Sequence, residues 1–455
     1  MKNFMEPETV ALIGISRKSG PGSFNLMENM IRFGFSGKIF PVNPHSKEIL
    51  GRKAYPNIRA VNEKIDLAVI STPRETTLEI LQDCVAAGVK AAIVVNQGFA
   101  DADDRGKALQ QGMLEIARRD GMRILGPNTL GVINNYNNFT TSFMPITKER
   151  VPVGLICQSG IFFVGAREFS RNIGKGIDIG NACDVGFYEA LRYLGEDPDI
   201  RIIAIHMEGL NQGKEFIELA AKIVKEKPII IHKTGSSKTG AAAAISHSGS
   251  MAGHYQVYRA AMNQAGVTFL EEDGQMACAV KTLLRLPPMK GDRVAVITFS
   301  GAAGIMASDG LERHGLKLAS LSPETIGSVA QLSPEWMPLG NPLDIWPAVM
   351  LHGADKAYSM ALRQVLKDPG VDGVICVAIG PEIPEFSFLD VSDALKEVME
   401  ELSDKPVAAW LYGPNPHEIG DKFESTKRIM VYPTLEEACW SLSLLRDRFE
   451  ILSGI

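Results

Sequence analysis

Between residues 9 and 125 the chain alternates short apolar runs with amphipathic stretches, and this alternation leaves few folds open to it. The runs Thr9–Ile15, Lys38–Val42, Asp66–Ile70, Lys90–Val95 and Met122–Leu125 have strand length. Thr76–Ala87 and Ala102–Arg119 carry apolar residues at helical spacing. Strand and helix in turn predict a doubly wound α/β unit. Such a unit has a parallel sheet covered on both faces, and it takes ligands at the carboxyl ends of its strands.

The loops at those strand ends carry the first chemical information. The first turn runs Gly14-Ile15-Ser16-Arg17-Lys18-Ser19-Gly20-Pro21-Gly22-Ser23. Glycine, serine and base suit a phosphate, but the G-x-G-x-x-G dinucleotide pattern is absent. The second strand ends in Val42-Asn43-Pro44, where an NAD-binding domain places an acid for the ribose. Arg17, Lys18 and Lys47 supply positive charge instead. They suit a nucleotide with an extra phosphate, such as coenzyme A or NADP; a plain strand-to-helix connection is the alternative. Thr72-Pro73 follow the third strand and Asn96-Gln97 the fourth. Gly126-Pro127-Asn128-Thr129-Leu130-Gly131 closes the domain, read as Rossmann-like over residues 1–130.

After an irregular connector at about 134–150, a similar pattern occurs twice. Val153–Cys157, Ile200–Ile205 and Ile229–His232 read as strands, ending at Gln158-Ser159-Gly160, Glu208-Gly209 and Thr234-Gly235. Further on, Val294–Thr298, Val374–Ala378 and Val407–Leu411 keep the same order, with Asp-Pro and Lys-Pro at matching places. Residues 150–286 and 290–455 are therefore expected to be two related flavodoxin-like, doubly wound parallel-sheet domains, the second a degenerate repeat. The copies differ where chemistry would sit. Glu208 is matched by Gly380, and no equivalent of Ser246-His247-Ser248-Gly249 follows Gly413. His417 is expected in an exposed loop.

His247 lies among small residues and hydroxyls, where a helix start offers backbone N–H groups to phosphate oxygens. A phosphorylated histidine needs a carboxylate to orient its ring, and Glu208 at a neighbouring strand end is the candidate. It also needs donors for the phosphoryl oxygens, for which Gln158, Ser159, Gly160, Ser248 and Gly249 are the candidates. Histidine then attacks as the neutral base.

Charge and composition narrow the partners. The net charge is −6 and no long basic run exists, which argues against nucleic acid and anionic membranes. No apolar stretch reaches transmembrane length, and the N-terminus lacks the apolar core of a signal peptide. Six cysteines without a CxxC spacing fit a reducing cytoplasm and burial as small apolar residues. The spacing singles out no metal-ligand set.

Taken together, Ser246-His247-Ser248-Gly249-Ser250-Met251-Ala252-Gly253, Gly126-Pro127-Asn128-Thr129, Gln158-Ser159-Gly160, Met207-Glu208-Gly209 and Asn341-Pro342-Leu343-Asp344 resemble the α subunit of the ADP-forming acyl-CoA synthetases, or acetate–CoA ligases. These are relatives of succinyl-CoA synthetase, and the resemblance covers essentially the whole chain. It implies coenzyme A bound by Gly14, Ser16, Arg17, Lys18, Ser19, Val42, Asn43, Pro44, Lys47, Thr72, Pro73, Asn96, Gln97, Asn128 and Thr129. It implies a phosphohistidine at His247, steadied by Glu208, and interconversion of acyl-CoA, ADP and phosphate with a small carboxylic acid, CoA and ATP. ADP or ATP and Mg are implied on a separate ATP-grasp β subunit, in an α2β2 assembly.

The sequence departs from this pattern in places. His45 stands where the family commonly has lysine, with Lys47 two residues on. Ile161-Phe162-Phe163-Val164 replace small residues after Gln158-Ser159-Gly160, and they are expected to shape the acyl pocket. Phe299-Ser300-Gly301-Ala302-Ala303-Gly304 lack the family's asparagine and further glycines. Two other readings remain: a CoA-binding regulatory or scaffold protein without turnover, and an NADP-dependent oxidoreductase, which would leave the His247 segment without a role.

Overall fold

The computed structural model describes residues 1–20, 22–143, 148–241, 254–402 and 404–454. It divides into two compact units, Met1–Ala277 and Cys278–Ile455. Each is built on parallel sheet whose strands are buried on both faces, which is why they read as continuous apolar runs.

The first unit holds two large sheets and a two-stranded one, Glu48–Ile49 with Arg52–Lys53. One has five parallel strands in the spatial order Lys38–Val42, Thr9–Ile13, Leu67–Ile70, Ala91–Val94, Arg123–Leu125. Its helices include Leu26–Phe33, Thr77–Ala86 and Asp104–Asp120. Local chemistry sets their ends. Asn25 caps the first through the N–H groups of Met27 and Glu28, and Asp103 caps the third through Gly106 N–H. Leu81, Met113 and Ile116 turn inward onto Ala68, Ile70 and Ala92 of the sheet.

The second sheet has seven strands. Thr268–Leu270, Ile229–Lys233, Ile202–Met207, Val153–Cys157 and Lys175–Asp178 are parallel. Val132–Asn134 and Phe139–Thr140 extend the edge in antiparallel fashion. The expected irregular connector is thus partly strand. Its polar residues are satisfied at long range: Asn134 Nδ2 donates to Met5 O and Asn135 Nδ2 to Glu149 O. Lys175–Asp178 is a central strand despite its charged ends. Lys175 Nζ lies 2.6 Å from Asp197 and 2.9 Å from Asp199.

The second unit carries one parallel sheet: Lys317–Leu318, Arg293–Thr298, Gly373–Ile379, Val407–Tyr412 and Ile429–Tyr432, with Leu343–Asp344 also paired to Arg293–Thr298. Leu343–Asp344 aside, its strands numbered along the chain take the order 2-1-3-4-5, as do the five parallel strands of each earlier large sheet. The helix Gln275–Arg285 crosses the division between units, and Cys278 belongs to the core of the second. His417 is exposed, but it lies in the first turn of the helix Pro416–Ser425 and not in a loop: Pro416, with its preset φ, starts the helix there. Of the six cysteines, Cys183 alone is half-buried and the rest are buried; all are free thiols.

Candidate functional site

The order 2-1-3-4-5 creates a switch point between the first and third strands, where loops leave toward opposite faces and open a crevice. In the first sheet that crevice lies beyond Ile13 and Ile70. Gly14 there has φ +79, and a Cβ would meet Thr72 Cγ2 at 2.5 Å and Ser71 O at 3.0 Å. Only glycine lets the two loops approach this closely. Asn25 Nδ2 donates to Ser16 O and Lys18 O, so the turn is held from the helix it precedes. Asn43 Nδ2 donates to Ile15 O and Asn128 N–H to Asn96 O, which joins the remaining loops along the same edge. Arg17, Lys18, Ser19, Pro44, Lys47, Pro73 and Gln97 are exposed, while Val42 and Thr129 are buried. Thr72 Oγ1 is buried without a hydrogen-bond partner among the described residues.

In the second sheet the switch point lies between Val153–Cys157 and Ile202–Met207. Gln158 and Glu208 follow directly, and both are buried. Gln158 Oε1 accepts the N–H groups of Glu208 at 2.7 Å and Gly209 at 2.9 Å. Two residues the sequence reading passed over complete the support. Lys233, 1 % exposed, donates from Nζ to Glu208 O and Thr234 O, each at 2.9 Å. Its ammonium sits 4.8 Å from the centre of the Tyr258 ring, and Tyr258 Oη accepts Leu210 N–H at 3.2 Å. Burial pulls the Lys233 ammonium below its usual range, and the Glu208 carboxylate pushes it back up. A lysine two positions after the apolar run Ile229–Ile231 was the available signal.

Asp178 is another buried carboxyl. Its Oδ2 accepts Leu130 N–H at 2.7 Å and its Oδ1 accepts Gly180 N–H at 3.2 Å. Burial pushes its pKa up to about 6, against the two N–H groups that pull it down. Gly180, at φ +52, lies so close to the 126–129 turn that a Cβ would meet Pro127 O and Asn128 O at 2.4 Å. The turn that closes the first sheet is thereby fastened to the second.

The remaining expected site residues are spread differently. Ser159 and Gly160 are half-buried before the short helix Ile161–Val164. Phe163 enters the core, and Phe162 stacks on buried His206 with ring centres 3.9 Å apart. Ile161 and Val164 are 68 % and 54 % exposed. A cavity of about 590 Å³ opens beside Gln158 and Gly209, with Asn181, Tyr188, Gln212 and Arg118 also in its wall. His247, Ser248 and Gly249 lie outside the described residues. Among the described residues, no group of three or more His, Cys, Asp or Glu could hold a metal ion. No described helix is long and apolar enough to cross a membrane.

A nucleotide-type crevice on one sheet, its closing turn held by Asp178 of the next, together with a buried carboxylate and amide at that second sheet's switch point, fits a chain of the CoA-ligase class. Comparison with known families agrees. Residues 8–135 match the CoA binding domain, and residues 150–283 match the succinyl-CoA ligase like flavodoxin domain. The α subunit of acetate–CoA ligase (ADP-forming) I from Pyrococcus furiosus is 33% identical, with 98% of this chain and 97% of that protein aligned. Acetate–CoA ligase (ADP-forming) II of Archaeoglobus fulgidus is 38% identical over 83% of this chain, which spans 57% of that longer protein. Among solved structures, "dinucleotide forming Acetyl-coenzyme A synthetase 1" of Ca. Korarchaeum cryptofilum, in complex with phosphate and ADP, superposes with a TM-score of 0.88 at 30% identity. It covers 99% of this chain and 97% of its own. The chain belongs to the ADP-forming acetate–CoA ligase family, within the succinyl-CoA synthetase superfamily.

Proposed function

We propose that the chain is the α subunit of an ADP-forming acid–CoA ligase that passes a phosphoryl group through His247. The observation that carries this is the Gln158–Glu208 pair at the switch point, on the strand beside the one that leads to the His247 segment. CoA lies along the carboxyl edge of the first sheet, on the residues from Gly14 to Thr129 named above. Orthophosphate attacks the thioester carbonyl, the CoA sulfur leaves as the thiol after taking up a proton, and an acyl phosphate forms. The neutral ring of His247 then takes the phosphoryl group from the acyl phosphate, and the carboxylate departs. Glu208 accepts the N–H of the non-reacting ring nitrogen and favours the cationic ring. Gln158, Ser159, Gly160, Ser248 and Gly249 hold the phosphate oxygens. Ile161–Val164 shape the acyl end, Ile161 and Val164 through their exposed side chains.

The phosphohistidine is discharged to ADP on an ATP-grasp β chain, which also binds Mg. An α2β2 assembly in a reducing cytoplasm fits this scheme. What supports the partner is kinship: the relative that aligns nearly end to end is named a subunit alpha. Radiolabelled ATP with the partner chain labels this protein in an acid-labile, base-stable form, and His247→Ala abolishes the label. A label that survives that substitution overturns the assignment.

A further inference from the structure

We propose that Lys233 and Tyr258 form a positioning clamp that fixes the Glu208 turn to both roots of the segment bearing His247. The inference rests on the phosphohistidine reading and adds two residues to it. Lys233 ends the strand Ile229–Lys233, on the upstream side of that segment. Tyr258 lies in the helix Tyr255–Gln264, on the downstream side. Both reach the same short turn. Lys233 Nζ donates to Glu208 O and Thr234 O at 2.9 Å, and Tyr258 Oη accepts Leu210 N–H at 3.2 Å. The ammonium lies 4.8 Å from the Tyr258 ring centre, so the two halves of the clamp also hold each other. Thr234 N–H donates to Met207 O, which closes the upstream root onto the same strand end.

The chemistry of the clamp suits a site that gathers negative charge. Both acceptors of Lys233 are neutral carbonyl oxygens, and among the described residues no carboxylate lies within ion-pair distance of it. Its charge is therefore not cancelled by a direct partner. In a buried setting such a charge acts strongly on its surroundings, here the Glu208 carboxylate. A methionine would fill the same space with neither the charge nor the two hydrogen bonds. Lys233 and Tyr258 touch no reacting atom. They act through Glu208, by fixing where its carboxylate stands relative to the ring it orients.

The test uses the full chain with its ATP-grasp partner, acetyl-CoA and radiolabelled orthophosphate. Lys233→Met is expected to lower the maximal labelling rate by about 100-fold, the scale of a misplacement near 1 Å, while the phosphate concentration for half-maximal labelling changes by less than about threefold. The rise in thermal stability on adding CoA is expected to persist. Should Lys233→Met fail to fold, Tyr258→Phe carries the test, since it removes one oxygen. Hydrogen exchange of the Leu210 amide is then expected to speed up by about tenfold, with labelling slowed by about tenfold. Labelling of Lys233→Met within about twofold of the unsubstituted chain overturns the proposal. So does unchanged Leu210 exchange in Tyr258→Phe. If the unsubstituted chain takes no label at all, the phosphohistidine reading fails, and the exchange measurement still decides the clamp.

Discussion

Gln158 Oε1 accepts the backbone N–H groups of Glu208 and Gly209, at 2.7 and 2.9 Å. The side chain at the end of the first strand thus sets the turn at the end of the third. Because the oxygen is committed to the turn, the amide nitrogen is the part of Gln158 left to act as a donor toward a ligand.

Substitutions at Gln158 separate these two duties. Gln158→Leu strands two buried N–H groups and is expected to cost about 2–4 kcal/mol. Gln158→Glu keeps an acceptor for both, so stability in urea is expected to stay within about 1 kcal/mol of the starting protein. It replaces a donor with a negative charge, and phosphoryl labelling is expected to fall by about 100-fold or more. Normal labelling in Gln158→Glu removes Gln158 from the phosphate site.

The helix after Gln158 allows a similar separation. Ile161 is 68 % exposed, so Ile161→Ala is expected to change stability by less than about 0.5 kcal/mol. Its effect is expected in the acids used, read as relative kcat/KM for acetate against larger or aromatic acids. Phe162 stacks on His206 with ring centres 3.9 Å apart and meets Phe169 at a tilt, 4.4 Å away. Phe162→Ala is expected to cost about 1–3 kcal/mol, less than a fully buried ring because the residue is only half-buried. An unchanged acid preference in Ile161→Ala removes that residue from the acyl pocket.

The parts of this site that were legible in the sequence are those where composition and position coincide. Glu208 stands out because a carboxylate directly follows a strand that is apolar but for His206. Gly14 stands out because small residues cluster at the first turn. Lys175–Asp178 escaped notice because its polar ends are satisfied mainly from elsewhere in the chain: Lys175 by Asp197 and Asp199, more than twenty positions on, and Asp178 by the N–H groups of Leu130, from another loop, and of nearby Gly180. Local pattern cannot register a partner supplied by another loop. The same holds for Asn134 and Asn135, whose polarity suggested a connector and whose long-range hydrogen bonds permit an edge strand. Lys233 gives no local sign of its burial, since Tyr258, whose ring its ammonium faces at 4.8 Å, arrives from a helix beyond the His247 segment.

The CoA edge can be disabled apart from the phosphoryl site. Gly14→Val puts a β-branched residue at φ +79 and a Cβ 2.5 Å from Thr72 Cγ2. The local cost is about 1–3 kcal/mol, and it falls on the two loops facing the ligand. The thermal shift on adding CoA is expected to vanish. Labelling from ATP, which does not need CoA, is expected to remain within about threefold. A retained CoA shift excludes this crevice as the coenzyme site.

Asp178 supplies the pH dependence. Burial pushes its carboxyl to about 6, above the ordinary 3.8, so the native chain holds this proton more tightly than the unfolded one. Between about pH 4 and pH 6 unfolding releases the proton, and this residue's contribution to stability falls as pH rises through that window. Above it both states are ionised and the full penalty of the buried carboxylate is present, about 3 kcal/mol for a shift of roughly two units. Asp178→Asn removes the titration. It also loses one of the acceptors used by Leu130 and Gly180, a cost that is the same at every pH. The stability of Asp178→Asn relative to the starting protein is therefore expected to improve by about 3 kcal/mol from pH 4 to pH 7 in urea titrations, whatever its offset at pH 4. A difference that stays flat across that range shows that Asp178 is ionised at both ends, and the carboxylate would then act as a permanent anion fastening the 126–129 turn.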